Sequence, residues 1–249
     1  MYPKMFFGYS MVSSYWILVG IGIIAGFMAI IINTRNEPQK MKKLLLLGLF
    51  LFIPFVLGAG ITIIYNKLFF PETACGRFSG FSLWPGIITA CVAAFPLCRL
   101  LKINVWEAAD SFALSVSIGG FFAKTGCLFN GCCFGKICKD DYFLATFFSV
   151  YSAAGGMFPD KPLHPVQLYS ALSWLFIFIF LTFKKKNFDG QLITTAGILF
   201  AVFNFIIEYF RYHPLEHFVS NSQIFSLIIL AVSIFLYNNR KNTNQYILN

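Results

Sequence analysis

Leu44-Leu-Leu-Leu-Gly-Leu-Phe-Leu-Phe-Ile-Pro-Phe-Val-Leu-Gly-Ala-Gly-Ile-Thr-Ile-Ile-Tyr65 runs without a charged residue. An α-helix needs roughly 20 such residues to cross the hydrocarbon of a bilayer, and a soluble core helix rarely has so long a run. Working outward, comparable stretches fall at approximately Ser14 to Ile32, Phe81 to Cys98, Val105 to Ala123, Val166 to Phe183, Leu192 to Ile207 and Ile224 to Tyr237. With Leu44 to Tyr65 these predict about seven transmembrane helices. In lipid every backbone N–H and C=O must find a partner within the segment, so the runs are helical, and the alternating ten-residue strands of a barrel are absent. The fold class expected is an all-α integral membrane protein.

Composition agrees with this class. Of 249 residues 58% are hydrophobic and only 12% charged, about half the charged share of a typical soluble domain. The net charge of +9 raises the question of nucleic acid, but the cations sit at the ends of apolar runs and not on a solvated basic face. No nucleic-acid partner is expected. No period of 20 to 50 residues repeats, so residues 1–249 read as a single polytopic domain.

Lys and Arg collect in alternate connections: Arg35, Lys40, Lys42 and Lys43; Arg99 and Lys102; Lys184, Lys185 and Lys186; Arg240 and Lys241. By the positive-inside bias these lie in the cytoplasm, which predicts an outside N-terminus and a cytoplasmic C-terminus. The connections Asn66 to Gly80, Lys124 to Pro165 and Glu208 to Gln223 then face outward. The first span reads as a retained helix, because no charged n-region with a small-residue cleavage site precedes it. Within the long outer connection, Tyr142 to Ala153 is too short to span and reads as an interfacial helix.

Polar residues at membrane depth are costly, so they mark candidate sites. Three groups stand at outer span ends. Lys124-Thr-Gly-Cys-Leu-Phe-Asn-Gly-Cys-Cys-Phe-Gly-Lys136 supplies glycines for turns and ammonium groups suited to lipid phosphate, although lysines at a helix exit also simply snorkel. His164-Pro-Val-Gln-Leu-Tyr169 opens the fifth span, with Pro165 in the first helical turn and Gln167 and Tyr169 just inside; the imidazole reads as a cap, an interfacial residue or a base. Glu208 and Arg211 stand at i, i+3 on one helix face, either as a structural ion pair or as a guanidinium fork offered to phosphate. Asn204 falls one turn before Glu208. Asp110 is the deepest acid and is expected to face other helices, in packing or in a direct role.

Cys127, Cys132, Cys133 and Cys138 form a cluster that lacks the C-x₂-C spacing of zinc or iron–sulfur sites, so no metal and no cofactor are expected. A disulfide or a reactive thiol remains open in an outward-facing loop.

Taken in this order and at these span ends, the three groups resemble the prolipoprotein diacylglyceryl transferase family, in a divergent cysteine-rich branch. Gly126, Asn130, Gly131 and Gly135 match the signature G-R-x-G-N-F-x-N-G-E-x-x-G, His164 to Tyr169 match H-P-x-Q-L-Y, and Glu208 and Arg211 match E-x-x-R. Asp110 matches an acid of the fourth helix. The chain departs where Trp84-Pro85-Gly86 replaces H-G-G, Lys124 an Arg, Cys127 an Asn, Cys132 a Glu, Asn204 an Arg and Ser170 an acid.

The resemblance implies a multi-pass protein of the bacterial cytoplasmic membrane. It moves diacylglyceryl from phosphatidylglycerol, or another anionic glycerophospholipid, to the cysteine thiol of a prolipoprotein or related acceptor. It assigns His164 and Glu208 to catalysis and Lys124, Gly126, Asn130, Gly131, Gln167, Tyr169 and Arg211 to substrate binding. The residues also leave open a non-catalytic lipid or lipoprotein binder and a thiol-disulfide membrane protein.

Overall fold

A computed structural model describes residues 4–7, 10–69, 83–213 and 219–248. A short antiparallel hairpin comes first, β1 (Lys4–Phe7) against β2 (Ser10–Ser13), and it is an addition to the expected all-helical chain. Among the described residues eight helices follow: α1 (Ser14–Asn33), α2 (Pro38–Phe69), α3 (Leu83–Leu101), α4 (Val105–Asn130), α5 (Ala153–Met157), α6 (Val166–Phe183), α7 (Gln191–Tyr209) and α8 (Asn221–Leu248).

Every expected apolar run coincides with a helix over its described residues. Six are long and apolar enough to cross a membrane, and the third, Pro85–Leu101, is a shorter apolar helix. The chain is an integral membrane protein. α2 continues to Phe69, and the rest of the expected outer connection to Gly80 lies outside the described residues, as do residues 214–218 of the expected outer connection Glu208 to Gln223. Trp84 is the second residue of α3, but its side chain also lies outside them.

Two expectations about local structure are corrected. Lys124 to Asn130 is not loop but the last two turns of α4, because nothing in that stretch interrupts the helical hydrogen-bond ladder. The interfacial helix over Tyr142 to Ala153 does not form. Thr146 instead exchanges backbone bonds with Leu163 (3.1 Å each way), and only five residues coil after Ser152, whose hydroxyl caps Gly155 N–H at 3.1 Å. Phe148, Ala154 and Leu163 give this outer segment a small core of its own.

The chain divides into two compact units, residues 1–29 with 109–249, and residues 30–108. In the larger unit Ala113 and Leu114 of α4, Ile177 and Leu181 of α6, and Leu192 and Ala196 of α7 form the core. Polar side chains turn inward and apolar ones outward, the inverse of a soluble bundle. Ser111, Ser115, Ser117, Thr194 and Thr195 are buried while Phe176, Phe183 and Val202 are exposed. Hydroxyls hold helices by bonding backbone carbonyls, as Ser115 Oγ does with Gly26 O at 2.8 Å between α4 and α1.

Asp110 serves this packing. Its carboxylate accepts from the N–H groups of Gly190 (2.8 Å), Leu192 (2.9 Å) and Ile193 (3.0 Å), and Lys186 lies 3.1 Å away. These are N–H groups that the first turn of α7 leaves without an intrahelical partner, so an acid on α4 caps α7 and completes it.

In each unit, taken separately, basic connections meet at one end. Arg240 Nε donates to Asp189 O (3.2 Å) near Lys186 in the larger unit. In the smaller, Lys40 pairs with Glu107, and Lys43 Nζ reaches Lys102 O at 3.5 Å. The three polar sequence groups gather at the other end of the larger unit.

Candidate active site

Helix α4 ends in a cap that decides where the cysteines go. Gly131 takes φ +66°, the left-handed conformation, and a side chain there would collide with Ser152, whose Cβ lies 2.6 Å from an ideal Cβ position. Gly131 N–H bonds to Leu128 O and Cys132 N–H to Cys127 O, both at 3.2 Å, which is the 5→2 and 6→1 pairing of a Schellman motif. That motif brings the residue after the glycine back onto the last full turn, so Cys132 meets Cys127. Cys133, itself at φ +56°, turns a third thiol toward them.

The sulfur atoms of Cys127, Cys132 and Cys133 all lie within 4.8 Å of one another. They are free thiols, as is Cys138, which stands apart from the trio. Hydrogen bonds with Cys127 and Cys132 hold the Cys133 thiol well below the usual thiol range, and the charges of Lys124 and Arg211 add to this. Gln167, almost fully buried, donates to Cys132 O at 2.8 Å and leaves its Oε1 without a partner.

The chain after the cysteines ties the three sequence groups together through backbone bonds. Gly135 N–H donates to His164 O (3.2 Å), His164 N–H to Lys136 O (3.0 Å), Lys136 N–H to Phe210 O (2.9 Å) and Tyr212 N–H to Phe134 O (3.3 Å). Gly135 must be glycine at this crossing, because an added Cβ would stand 2.5 Å from His164 O. Gly126 sits against Tyr15 of α1, so this glycine also serves close packing.

Glu208 is buried beside Arg211, Nη1 to Oε2 at 3.1 Å, and beside His213, Nε2 to Oε1 at 3.2 Å, while Ser220 Oγ donates to Oε1 at 3.3 Å. The ion pair foreseen as an alternative is therefore present. It does not exhaust the guanidinium: Arg211 Nε is buried without a hydrogen-bond partner, whereas Glu208 Oε2 and His213 Nε2 have only the ion-pair contacts just given. Buried polar atoms are nearly always satisfied, so the unpartnered Nε is the atom here with capacity to spare for a polar ligand. His213 belongs to the connection after α7, and no local pattern in the sequence singles it out as a partner of Glu208.

His164 heads a second polar chain. Its Nδ1 is 3.3 Å from Tyr169 Oη, which lies 2.9 Å from Tyr142 Oη. Burial lowers its pKa below the ordinary imidazole value of 6.5, so the ring is neutral at neutral pH and able to accept a proton. It opens on a cavity of ≈ 460 Å³ lined also by Cys138, Lys139, Asp141, Tyr142 and Phe143. Asn204 is not part of the site. Its amide turns to Ser222 Oγ (3.2 Å) and Ser226 Oγ (2.9 Å) and joins α7 to α8.

Comparison with known proteins adds to this geometry. The family model for prolipoprotein diacylglyceryl transferase matches residues 4–238. A phosphatidylglycerol–prolipoprotein diacylglyceryl transferase of Clostridium tetani is 25% identical over 239 residues, covering 90% of this chain and 91% of its own length. One from Campylobacter hominis is 32% identical over 173 residues, 65% of this chain and 58% of the relative. The second such transferase of Clostridium perfringens is 26% identical over 245 residues, with 92% and 91% coverage. With the match running almost from end to end, this chain belongs to the prolipoprotein diacylglyceryl transferase family.

Proposed function

We propose that the chain transfers diacylglyceryl from phosphatidylglycerol to the cysteine thiol of a prolipoprotein, at the outer face of the bacterial cytoplasmic membrane. The observation that carries this reading is Arg211 Nε, buried without a hydrogen-bond partner at a point where backbone bonds bring the Arg211, Gly135 and His164 segments together. The reaction forms a carbon–sulfur bond, breaks the glyceryl carbon–oxygen bond and releases glycerol phosphate. It needs a base for the thiol and positive charge for the leaving phosphate.

Arg211, oriented by Glu208 through Nη1, presents Nε to the phosphate, and Lys124 adds a second cation. His164 takes the thiol proton, with Tyr169 and Tyr142 holding its ring. Gln167 and Asn130 supply polar contacts to the substrate headgroup, and Gly126 and Gly131 act indirectly, through the packing on Tyr15 and the helix cap that position this segment.

Membranes containing the chain, incubated with labelled phosphatidylglycerol and a lipobox peptide, should transfer label to the peptide; binding of lipid without transfer would favour the non-catalytic reading. His164→Gln should lower the transfer rate by roughly a hundredfold or more, as loss of a general base does. A depressed pKa keeps the basic form present to lower pH, so the wild-type rate should fall only as pH drops through a value below 6.5, and the variant should lose that limb. Cys138, Lys139, Asp141 and Tyr142 line the cavity with His164, and Tyr169 contacts its ring, so these are the charged and titratable groups that face it. An unchanged acid limb in His164→Gln would assign the base elsewhere.

The orientation is tested separately. Single cysteines in a background lacking the native ones should react with an impermeant reagent from outside at Lys136 and not at Lys184 to Lys186. Labelling of Lys184 to Lys186 instead would invert the topology.

A further inference from the structure

We propose that Cys127, Cys132 and Cys133 form a three-thiolate zinc site whose open fourth position receives the acceptor cysteine. The inference rests on the transferase reading above and gives its thiol-activating step a cofactor.

The geometry comes from the helix cap. Zinc–thiolate bonds of about 2.3 Å set the sulfur atoms of a tetrahedral site about 3.8 Å apart. The three sulfurs here already lie within 4.8 Å, so closing on a metal requires only rotamer adjustments. The cap fixes two of them: Cys132 N–H is bonded to Cys127 O, and Gln167 Nε2 holds the Cys132 carbonyl from α6 at 2.8 Å. Cys133 is kept in the left-handed region at φ +56°, a conformation that a non-glycine residue adopts at a cost and that is retained where it aims a side chain.

Cys127 is buried, Cys132 half-buried and Cys133 exposed as a residue, so Cys133 is the member of the trio that reaches the surface. Structural zinc sites close all four positions, whereas catalytic ones hold three protein ligands and leave the fourth for water or substrate. Three thiolates around a divalent ion carry one net negative charge, and Lys124 and Arg211 are the cations acting on Cys133. Among the described residues no His, Asp or Glu joins the trio, and an all-sulfur set favours a thiophilic ion over magnesium or calcium.

The chemistry balances without an oxidant. The acceptor S–H ionises as its sulfur binds zinc, because a coordinating thiol is deprotonated outright, and the proton passes to His164. The bound thiolate attacks the glyceryl carbon of the lipid, and the sulfur–carbon bond forms as the carbon–oxygen bond breaks. The electron pair of that bond leaves on the phosphate oxygen as glycerol phosphate, beside Arg211 and Lys124. Zinc stays divalent throughout.

The test uses the full chain, purified in detergent without chelator. Elemental analysis should find one zinc ion per chain, and cobalt added to chelator-stripped protein should give the intense thiolate-to-cobalt absorption of a sulfur-rich tetrahedral site. Cys127→Ser, Cys132→Ser and Cys133→Ser should each lower retained zinc at least about tenfold, whereas Cys91→Ala on α3 should retain it. If the serine variants fail to assemble, the wild-type metal content and cobalt spectrum still decide. Protein without zinc that shows no cobalt–thiolate band, or one that carries a disulfide from Cys127 to Cys132 or Cys133, would overturn the site. Full transfer by chelator-stripped protein would leave the transferase reading standing and remove zinc from it; bound zinc with no transfer would support the site and count against the transferase reading.

Discussion

Arg211→Lys should reduce diacylglyceryl transfer roughly ten- to a hundredfold, the effect of losing one charge-assisted bond worth about 1.5 to 3 kcal/mol. Charge is unchanged by this substitution, so the effect isolates geometry. The guanidinium faces Glu208 through Nη1 at 3.1 Å while its Nε remains buried and without a hydrogen-bond partner, which leaves one edge for phosphate. A lysine ammonium is a single point and cannot serve Glu208 and phosphate from two edges of a plane. Arg240→Lys, whose arginine donates to Asp189 O at the other end of the same unit, should leave transfer unchanged. Transfer and lipid binding equal to wild type in a folded Arg211→Lys protein would reduce Arg211 to the structural partner of Glu208. The comparison is made by initial rates at saturating and limiting lipid, because loss of a contact made only in the transition state lowers the maximal rate without raising the Michaelis constant.

Asp110→Ala should destabilise the protein by about 2 to 4 kcal/mol, from a lost helix cap plus buried N–H groups left without an acceptor. Three backbone donors of Gly190, Leu192 and Ile193 and the Lys186 ammonium converge on this one carboxylate. Asp110→Asn keeps one carbonyl acceptor and should fall between wild type and alanine. Thermal unfolding in detergent, followed by aggregation or tryptophan fluorescence, reads the order. A melting curve for Asp110→Ala that overlays wild type would contradict the capping role. Because the carboxylate sits at the opposite end of the unit from Arg211 and His164, variants that remain folded should keep their transfer rate.

The helices were largely legible because hydrocarbon imposes a simple rule: long uncharged runs must coil. Val166 to Phe183 is bounded by Pro165 and Lys184, and α6 has the expected limits. Helix ends were less legible. Lys124 to Asn130 carries Gly, Lys and Asn, residues that signal a loop in water, yet they extend α4 by two turns. Periodicity put Asn204 on the face of Glu208, but the partners on α8, Ser222 and Ser226, were invisible in a count along one helix.

For the site, motif order gave the three groups, and the backbone bonds through Gly135 and Lys136 bring them together. The cysteine trio was hidden because spacing rules for metal sites assume that ligands approach along a loop. Here a five-residue separation is closed by the left-handed turn at Gly131, so Cys127 and Cys132 become neighbours through helix-cap geometry. His213 escaped for a related reason: its contact with Glu208 depends on how the chain turns after Arg211, which no local pattern encodes.

The most direct measurement is mass spectrometry of a lipobox peptide after incubation with the purified chain in phosphatidylglycerol vesicles. The proposed activity predicts a mass increase of one diacylglyceryl group on the peptide cysteine, resistant to hydroxylamine as a thioether is, with one glycerol phosphate released for each adduct. An unmodified peptide in the presence of folded protein and bound phosphatidylglycerol would contradict it.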